Sequence, residues 1–269
     1  TVQKFWKDGI LDPESNVQFG EGGAGTFSDG KLNTLIKDKD GRGREVLRIF
    51  VKAGAPERIL YDAKPHIGTD VLTDVVIHMR KTIQEHGGEI RFHSKVTDII
   101  IEEGRIIGVQ VNEKEHLDTS ICILAIGHSS RDTYQMLQNR GIAMEAKSFA
   151  VGFRVEHPQH LIDMDQYGRT HEESGLPTAA YKVTAKTSTG RGVYSFCMCP
   201  GGYVVNASSE EGMVAVNGMS YSKRDGANAN AAIIVSVSPE DYPDTSPLGG
   251  IAFQRALEKK AWELGQGKV

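Results

Sequence analysis

The chain has 269 residues, 39% hydrophobic and 25% charged, with a net charge of −4 at pH 7. That length buries a substantial core as one large domain or two smaller ones, and the composition excludes disorder as the origin of its 30 glycines. It has no block of five like charges, no bilayer-length apolar run and no signal-peptide pattern, so neither a nucleic-acid face nor a membrane partner is expected.

In chain order, residues 1–43 read as Gly-rich and irregular. Within them, Phe19 to Leu32 (FGEGGAGTFSDGKL) places five glycines among fourteen residues. Such a run lets backbone approach a ligand, and its N–H groups make a concavity for a phosphate-bearing cofactor. Gly20, Gly22 and Gly25 match G-x-G-x-x-G, and Asp38 or Asp40 lies where a ribose-binding acid belongs. A dinucleotide fingerprint also needs a strand before the first glycine and a helix after the last. Val17 to Phe19 is a very short strand candidate, and Ser28-Asp29-Gly30 is turn chemistry. The nicotinamide-only Rossmann reading is therefore the minor one.

Glu45 to Lys52 reads as a short helix. Val71, Leu72, Val75, Val76, Met79 and Ile83 recur at helical spacing, with Thr69 or Asp70 as cap and Gly87-Gly88 as stop. Glu89 to His93, Val96 to Ile101 and Ile106 to Val111 read as strands, the last two joined by a Gly-containing hairpin loop. The apolar run Ile121 to Ile126 reads as a strand buried on both faces. After Gly127-His128-Ser129-Ser130, a helix is expected over Asp132 to Arg140, and its N-terminus suits a phosphate. From about Lys147 short strands dominate: Phe149–Val155, Ala180–Val183, Gly192–Cys197, Tyr203–Ala207 and Val214–Val216. Residues 226–232 (GANANAA) read as low complexity. A last helix covers Leu248 to Leu264.

Four segments carry a resemblance: Gly22–Leu32, Tyr61–Thr69 (YDAKPHIGT), Leu124–His128 (LAIGH) and Tyr194–Gly202 (YSFCMCPGG). Together they resemble a family of bacterial FAD-dependent dehydrogenases among the glutathione-reductase-like flavoproteins. The resemblance implies an α/β (α+β mixed) fold: part of an FAD-binding domain with an inserted, mostly-β substrate domain. The expected division is 1–147 partial FAD domain, 148–247 substrate domain and 248–269 a returning helix. The family's own G-x-G-x-x-G lies upstream of these motifs. The start at Thr1 and the end at Val269 read as a segment of a longer protein.

The resemblance also implies roles. Gly22, Gly23, Gly25, Ser28, Asp29, Gly30 and Lys31 would lie beside the FAD pyrophosphate and isoalloxazine. Val96 would present backbone to the adenine. Ala125, Gly127, His128 and Ser129 would form a second cofactor contact, with Ile126 where Thr is usual. The catalytic candidates are Cys199, Cys197 and His66. On a strand the two cysteines face one side. They read either as a redox pair or thiolate near the flavin, or as small core residues, and the second reading is favoured. His66 suits acid–base or substrate-binding work and equally the anchoring of a loop. Lys64 and Arg154 suit an anionic substrate or a charged flavin. Ser220 to Asp225 reads as a turn or an active-site lid. No metal site is expected. Three cysteines, an odd number, argue against a disulfide framework and for a cytoplasmic setting. The sum is an FAD-dependent oxidoreductase acting on a small molecule, with NAD(P)H admitted as co-substrate. The alternatives are the nicotinamide-only enzyme or a non-catalytic flavin-fold module. Substrate and oligomeric state are left open.

Overall fold

The computed structural model describes residues 1–32, 34 and 37–269; residues 33, 35 and 36 lie outside that set. Helices α1 (Val2–Asp8), α2 (Arg42–Lys52) and α3 (Thr69–Glu85) come first. Strands β1 (Val96–Glu102), β2 (Arg105–Val111) and β3 (Glu115–Asp118) and helix α4 (Arg131–Asn139) follow. Next are β4 (Phe149–Pro158), α5 (Gln159–Tyr167), α6 (His171–Ser174), β5 (Thr184–Lys186) and β6 (Gly192–Cys199). The chain finishes with β7 (Gly202–Asn206), β8 (Val216–Ser220), β9 (Asn228–Val237) and α7 (Gly249–Gly265). These mixed helices and antiparallel sheets form two compact units. One comprises residues 1–88, 149–237 and 258–269, the other residues 89–148 and 238–257.

In the first unit a four-stranded antiparallel sheet runs β4-β9-β6-β5, beside a β7-β8 pair. Its inner strand β9 contains the stretch read as low complexity. The small residues have a packing reason: Ala229 and Ala231 are fully buried against Met198, Ile162 and Tyr181. Strand propensity favours β-branched and aromatic residues, so an Ala/Asn strand is silent to it. The strand expected at 180–183 also moves along the chain, to Thr184–Lys186, and that expected at 214–216 starts only at Val216.

A second core lies among α2, the turn at Glu57–Leu60 and α3. Ala53, Ala55, Ile59, Ile67 and Val75 are buried there, with Val71, Leu72 and Met79 of the predicted apolar stripe packed on them. The expected caps of α3 are not made. Gly68 holds the N-cap position. Asp70 instead accepts from Ser222 N and Oγ, each at 2.8 Å, and the Thr69 hydroxyl donates to the Thr26 carbonyl. Tertiary partners have taken the capping groups.

The second unit contains the meander β1-β2-β3. Glu103 (φ 48°) and Gly104 (φ 75°) form its first turn with the left-handed backbone that two-residue hairpins need. Arg140, just after α4, holds Asp98 of β1 bidentately, and Lys95 Nζ lies 2.6 Å from Asp132. Two expectations fail here. Residues 89–93 form no strand, and His93 has φ 52°. Ile121 to Ile126 joins no ladder, and Ile121 and Ile123 are 77% and 86% exposed. An apolar run becomes a buried strand only where neighbours pair its backbone. Among the described residues none does.

The Gly-rich loop is fixed by one buried carboxylate. Asp29 is 1% exposed. It accepts from Arg224 Nε at 2.8 Å, Arg224 Nη2 and the Ser220 hydroxyl, and Lys31 Nζ lies 3.4 Å away. Burial pushes its pKa up, but the Arg224 hydrogen bond, the Lys31 and Arg224 charges and the Ser220 hydroxyl outweigh it. The carboxyl lies below its ordinary value. A depressed carboxyl contributes stability above the unfolded-state pKa of about 3.9, lost as pH falls through the native value. Asp29→Ala leaves two cations without their partner and is expected to cost about 3–5 kcal/mol at neutral pH. Denaturant melts should show that deficit shrinking in acid, and equal stability at pH 7 would refute the assignment.

Candidate functional site

The bonds along β6 break register at its end. Phe196 pairs with Ala232 and Cys199 with Asn230, so β6 carries one residue more than β9. The extra residue makes a β-bulge, a device that re-aims side chains. Cys197 sits in it with φ 46°, a left-handed backbone rarely adopted outside glycine, and such strain clusters at functional sites. The bulge, rather than strand alternation, brings the thiols together. Cys199 is fully buried and Cys197 half-buried. The Cys199 Sγ also lies 3.2 Å from the Cys197 carbonyl oxygen, so its one proton serves either acceptor.

Cations surround the pair. Lys31 Nζ donates to the Met198 carbonyl, and Arg154 Nη1 donates to the Cys197 carbonyl at 3.2 Å. The hydrogen bond from Cys199 lowers the Cys197 pKa; burial opposes it, and Lys31 and Arg154 reinforce it, to about 5. Cys199 is pushed up, by holding its proton for Cys197 and by burial. Both effects favour the negative charge on Cys197, the more accessible sulfur, which is flanked by cations.

Arg154 Nη1 also donates to Asn230 Oδ1 at 2.5 Å. Asn230 is fully buried, and its Nδ2 has no acceptor among the described residues. A buried donor without a partner costs about 1–3 kcal/mol. Gly218 makes room for this pair: a Cβ there would strike both Arg154 Nη1 and Asn230 Oδ1. Sequence reading missed Asn230, which lies in the stretch taken as low complexity. It also missed Arg224 as the partner of Asp29; the only signal was the charged trio Lys223-Arg224-Asp225.

The Gly-rich loop delivers Lys31 to this place. No strand precedes Gly20, and a 3₁₀ turn over Gly23–Phe27, not an α-helix, follows Gly22. The dinucleotide fingerprint is therefore not built by Gly20, Gly22 and Gly25. Gly20, Gly22, Gly23 and Gly30 have positive φ, so four of the five glycines are required by conformation. Gly25 is not, and a Cβ there would meet nothing. The Ser28 hydroxyl accepts from Gly30 N at 3.0 Å, and Gly30 and Leu32 pair with Ile67 and Pro65. That bridge seats His66 opposite Lys31. His66 Nε2 lies 3.1 Å from the Ser222 carbonyl. Its pKa is lowered by burial and by the Arg224 charge, against the Ser222 hydrogen bond and Asp29. The first unit thus gathers Asp29, Lys31, Cys197 and Cys199, with His66 beside the same Asp29–Arg224 pair.

Asp163, His171 and Glu172 offer ligand atoms within 4.8 Å of one another. Both Asp163 oxygens are already used: Gln159 Nε2 and Ala179 N donate to Oδ1, and His171 N and Nδ1 face Oδ2. This network ties α5 to the segment after it.

Within the second unit, Gly127 (φ 67°) turns the chain, and its carbonyl accepts from Tyr134 Oη at 2.7 Å. Ser130 Oγ bonds Ile126 O at 2.8 Å instead of capping α4. Ser129 Oγ lies 3.0 Å from His128 Nδ1, and Ala125, Gly127 and His128 face solvent. Val96, at the start of β1, lines a 210 Å³ cavity with Lys95 and Asp132.

Comparison with known proteins bears on this geometry. Residues 148–269, which include β6 and β9, match the family described as FAD-dependent protein, C-terminal domain-like. A Clostridium beijerinckii protein described as an uncharacterized protein is 54% identical over 268 residues, 99% of this chain and 50% of its own length. The chain thus spans about half the length of the curated relative it matches. Among the described residues no helix is long and apolar enough to cross a membrane. The family match supports an FAD-dependent, flavoprotein-related role.

Proposed function

We propose that this chain is part of an FAD-dependent oxidoreductase that passes hydride between a small-molecule substrate and the flavin, with NAD(P)H as candidate reductant. One observation carries the reading. The stretch similar to FAD-dependent proteins holds β4, β6 and β9, and those strands bring Arg154, the Cys197 thiol and Asn230 to Lys31 of the Gly-rich loop. The fit to a flavin is chemical. The Lys31 ammonium, the Arg154 guanidinium and the orphaned Asn230 Nδ2 are donors suited to an electron-rich ring edge that gains negative charge on reduction.

In this reading Gly22, Gly23, Gly25, Ser28, Gly30 and Lys31 hold the cofactor's pyrophosphate and ring, and Asp29 keeps their loop in place. Val96 receives the adenine, and Ala125, Gly127, His128 and Ser129 make the second contact. The cofactor, when bound, supplies the hydride chemistry. Cys197 holds a negative charge as the chain's own nucleophile, and Cys199 keeps the proton that stabilises it. His66, neutral at pH 7, can accept a proton through its ring. The glutathione-reductase-like architecture belongs to the same proposal. So does a cytoplasmic setting, which three unpaired thiols favour.

Visible spectra of the purified full-length protein, before and after anaerobic NADH or NADPH, are the first test. Flavin bands that bleach are expected. Bands that persist would remove NAD(P)H, and a colourless protein that takes up no FAD would overturn the reading. Gly25→Ala should leave the melting temperature unchanged, because its Cβ meets nothing, yet weaken FAD uptake by the full-length protein. Unchanged uptake would take the loop out of the site. In a Cys122→Ser background, iodoacetamide should alkylate Cys197 with a midpoint far below the ordinary thiol value of about 8.5. Cys199→Ala and Lys31→Met should each raise that midpoint, whereas an ordinary midpoint in the parent would refute the thiolate.

A further inference from the structure

The first unit contains a cavity of 540 Å³ whose charged lining residues are all basic. Arg58, Lys223 and Arg224 line it, with His66, His171 and Ser222. The volume is that of a small-molecule site. Three carboxylates of the surrounding segments are already engaged. Asp29 holds Arg224 and Lys31, Asp70 holds Ser222, and Asp163 holds Gln159, Ala179 and His171. Glu172 lies 3.3 Å from His171 Nε2.

The cations are less well served. Arg224 gives Nε and Nη2 to Asp29, which fixes its plane and leaves Nη1 with no acceptor among the described residues. Arg58 Nε is buried without a hydrogen-bond acceptor, and the carboxylate of Asp62 is 4.0 Å away. Lys223 makes no ion pair or side-chain hydrogen bond among the described residues. The turn that carries Lys223 and Arg224 is held in advance, with Ser222 bonded at its N–H, hydroxyl and carbonyl, and the Arg224 carbonyl accepting from Thr178. A rigid, positively charged recess with unmatched N–H donors lacks one kind of partner, an oxyanion.

We propose that this cavity binds the acid group of a small organic anion, a carboxylate or a phosphate monoester. The shared Asp29 joins this recess to the thiol site, since it grips Arg224 of one and Lys31 of the other. The recess thereby assigns an acidic substrate to the oxidoreductase. That role rests on the flavin reading above; the binding itself does not.

Calorimetric titration of the 269-residue chain at low ionic strength tests the binding, with succinate, inorganic phosphate and the uncharged analogue succinamide as probes. At least one oxyanion should bind at one site per chain, and succinamide should not. Tighter succinate would name a carboxylate, tighter phosphate a phosphate monoester. Arg58→Gln and Lys223→Gln, both at partly exposed side chains, should each weaken the preferred anion by about tenfold, as expected for the loss of one charge-assisted bond. Added salt should weaken it further. His66 gives a local readout. Arg224, Arg58, Asp29 and the Ser222 carbonyl face it, and burial with the two guanidiniums holds its pKa down. A bound oxyanion offsets those guanidiniums, so the NMR titration midpoint of His66 should rise. Equal binding of succinamide, unchanged affinity in both variants, or no heat and no His66 shift with either anion would each overturn the proposal. None of these readouts requires a flavin, so their failure is distinct from a colourless full-length protein.

Discussion

A carboxylate buried to 1% exposure must be matched by donors, and Asp29 is matched by a guanidinium, an ammonium and a hydroxyl from three places in the sequence. The local architecture of the first unit depends on this match. It holds the end of the Gly-rich loop against β8 and the turn after it, and through Lys31 it reaches the bulge at the end of β6. Removing such a charge from water is costly unless every partner is in place. The loop, the turn and the bulge therefore occupy their positions together or not at all. A flexible Gly-rich segment becomes a rigid part of a site because one of its side chains has nowhere else to go.

The thiol pair depends on a second constraint, the single residue by which β6 exceeds β9. Without it, Cys197 and Cys199 would stand on one face of a regular strand, about 6.6 Å apart along it. With it, Cys197 takes a left-handed backbone and its sulfur meets a proton donor and two cations. The sequence motif contained all the atoms of this arrangement but not its register. Spacing alone favoured the reading of two small core residues, and for Cys199, fully buried, that description is half right.

Other features were legible to different degrees for similar reasons. Helix α3 declared itself by periodicity, because its apolar stripe packs on a single core; its caps did not, because Ser222 and the Thr26 carbonyl compete for the same polar groups. The hairpin of β1 and β2 was readable because turn chemistry and alternation agree. Strand β9 was hidden by its own packing, which demands Ala and Asn where propensity looks for Val and Ile. At the site, the Gly-rich loop, the two cysteines and His66 were visible as residue types in suggestive company. Asn230 and Arg224 were not, because their meaning lies in partners 76 and 195 residues away.

Ile121 to Ile126 (ICILAI) has no charge and no proline, is largely exposed and pairs with no strand among the described residues. Six such residues are the unit from which cross-β stacks grow, each chain pairing with an identical chain above and below. In concentrated solution such a segment is the expected place for copies of the chain to adhere. Cys122 in its middle can then weld two of them once air replaces reductant. The same six residues thus bear on the colloidal behaviour of the purified chain and, through Ala125, on the cofactor contact proposed for it.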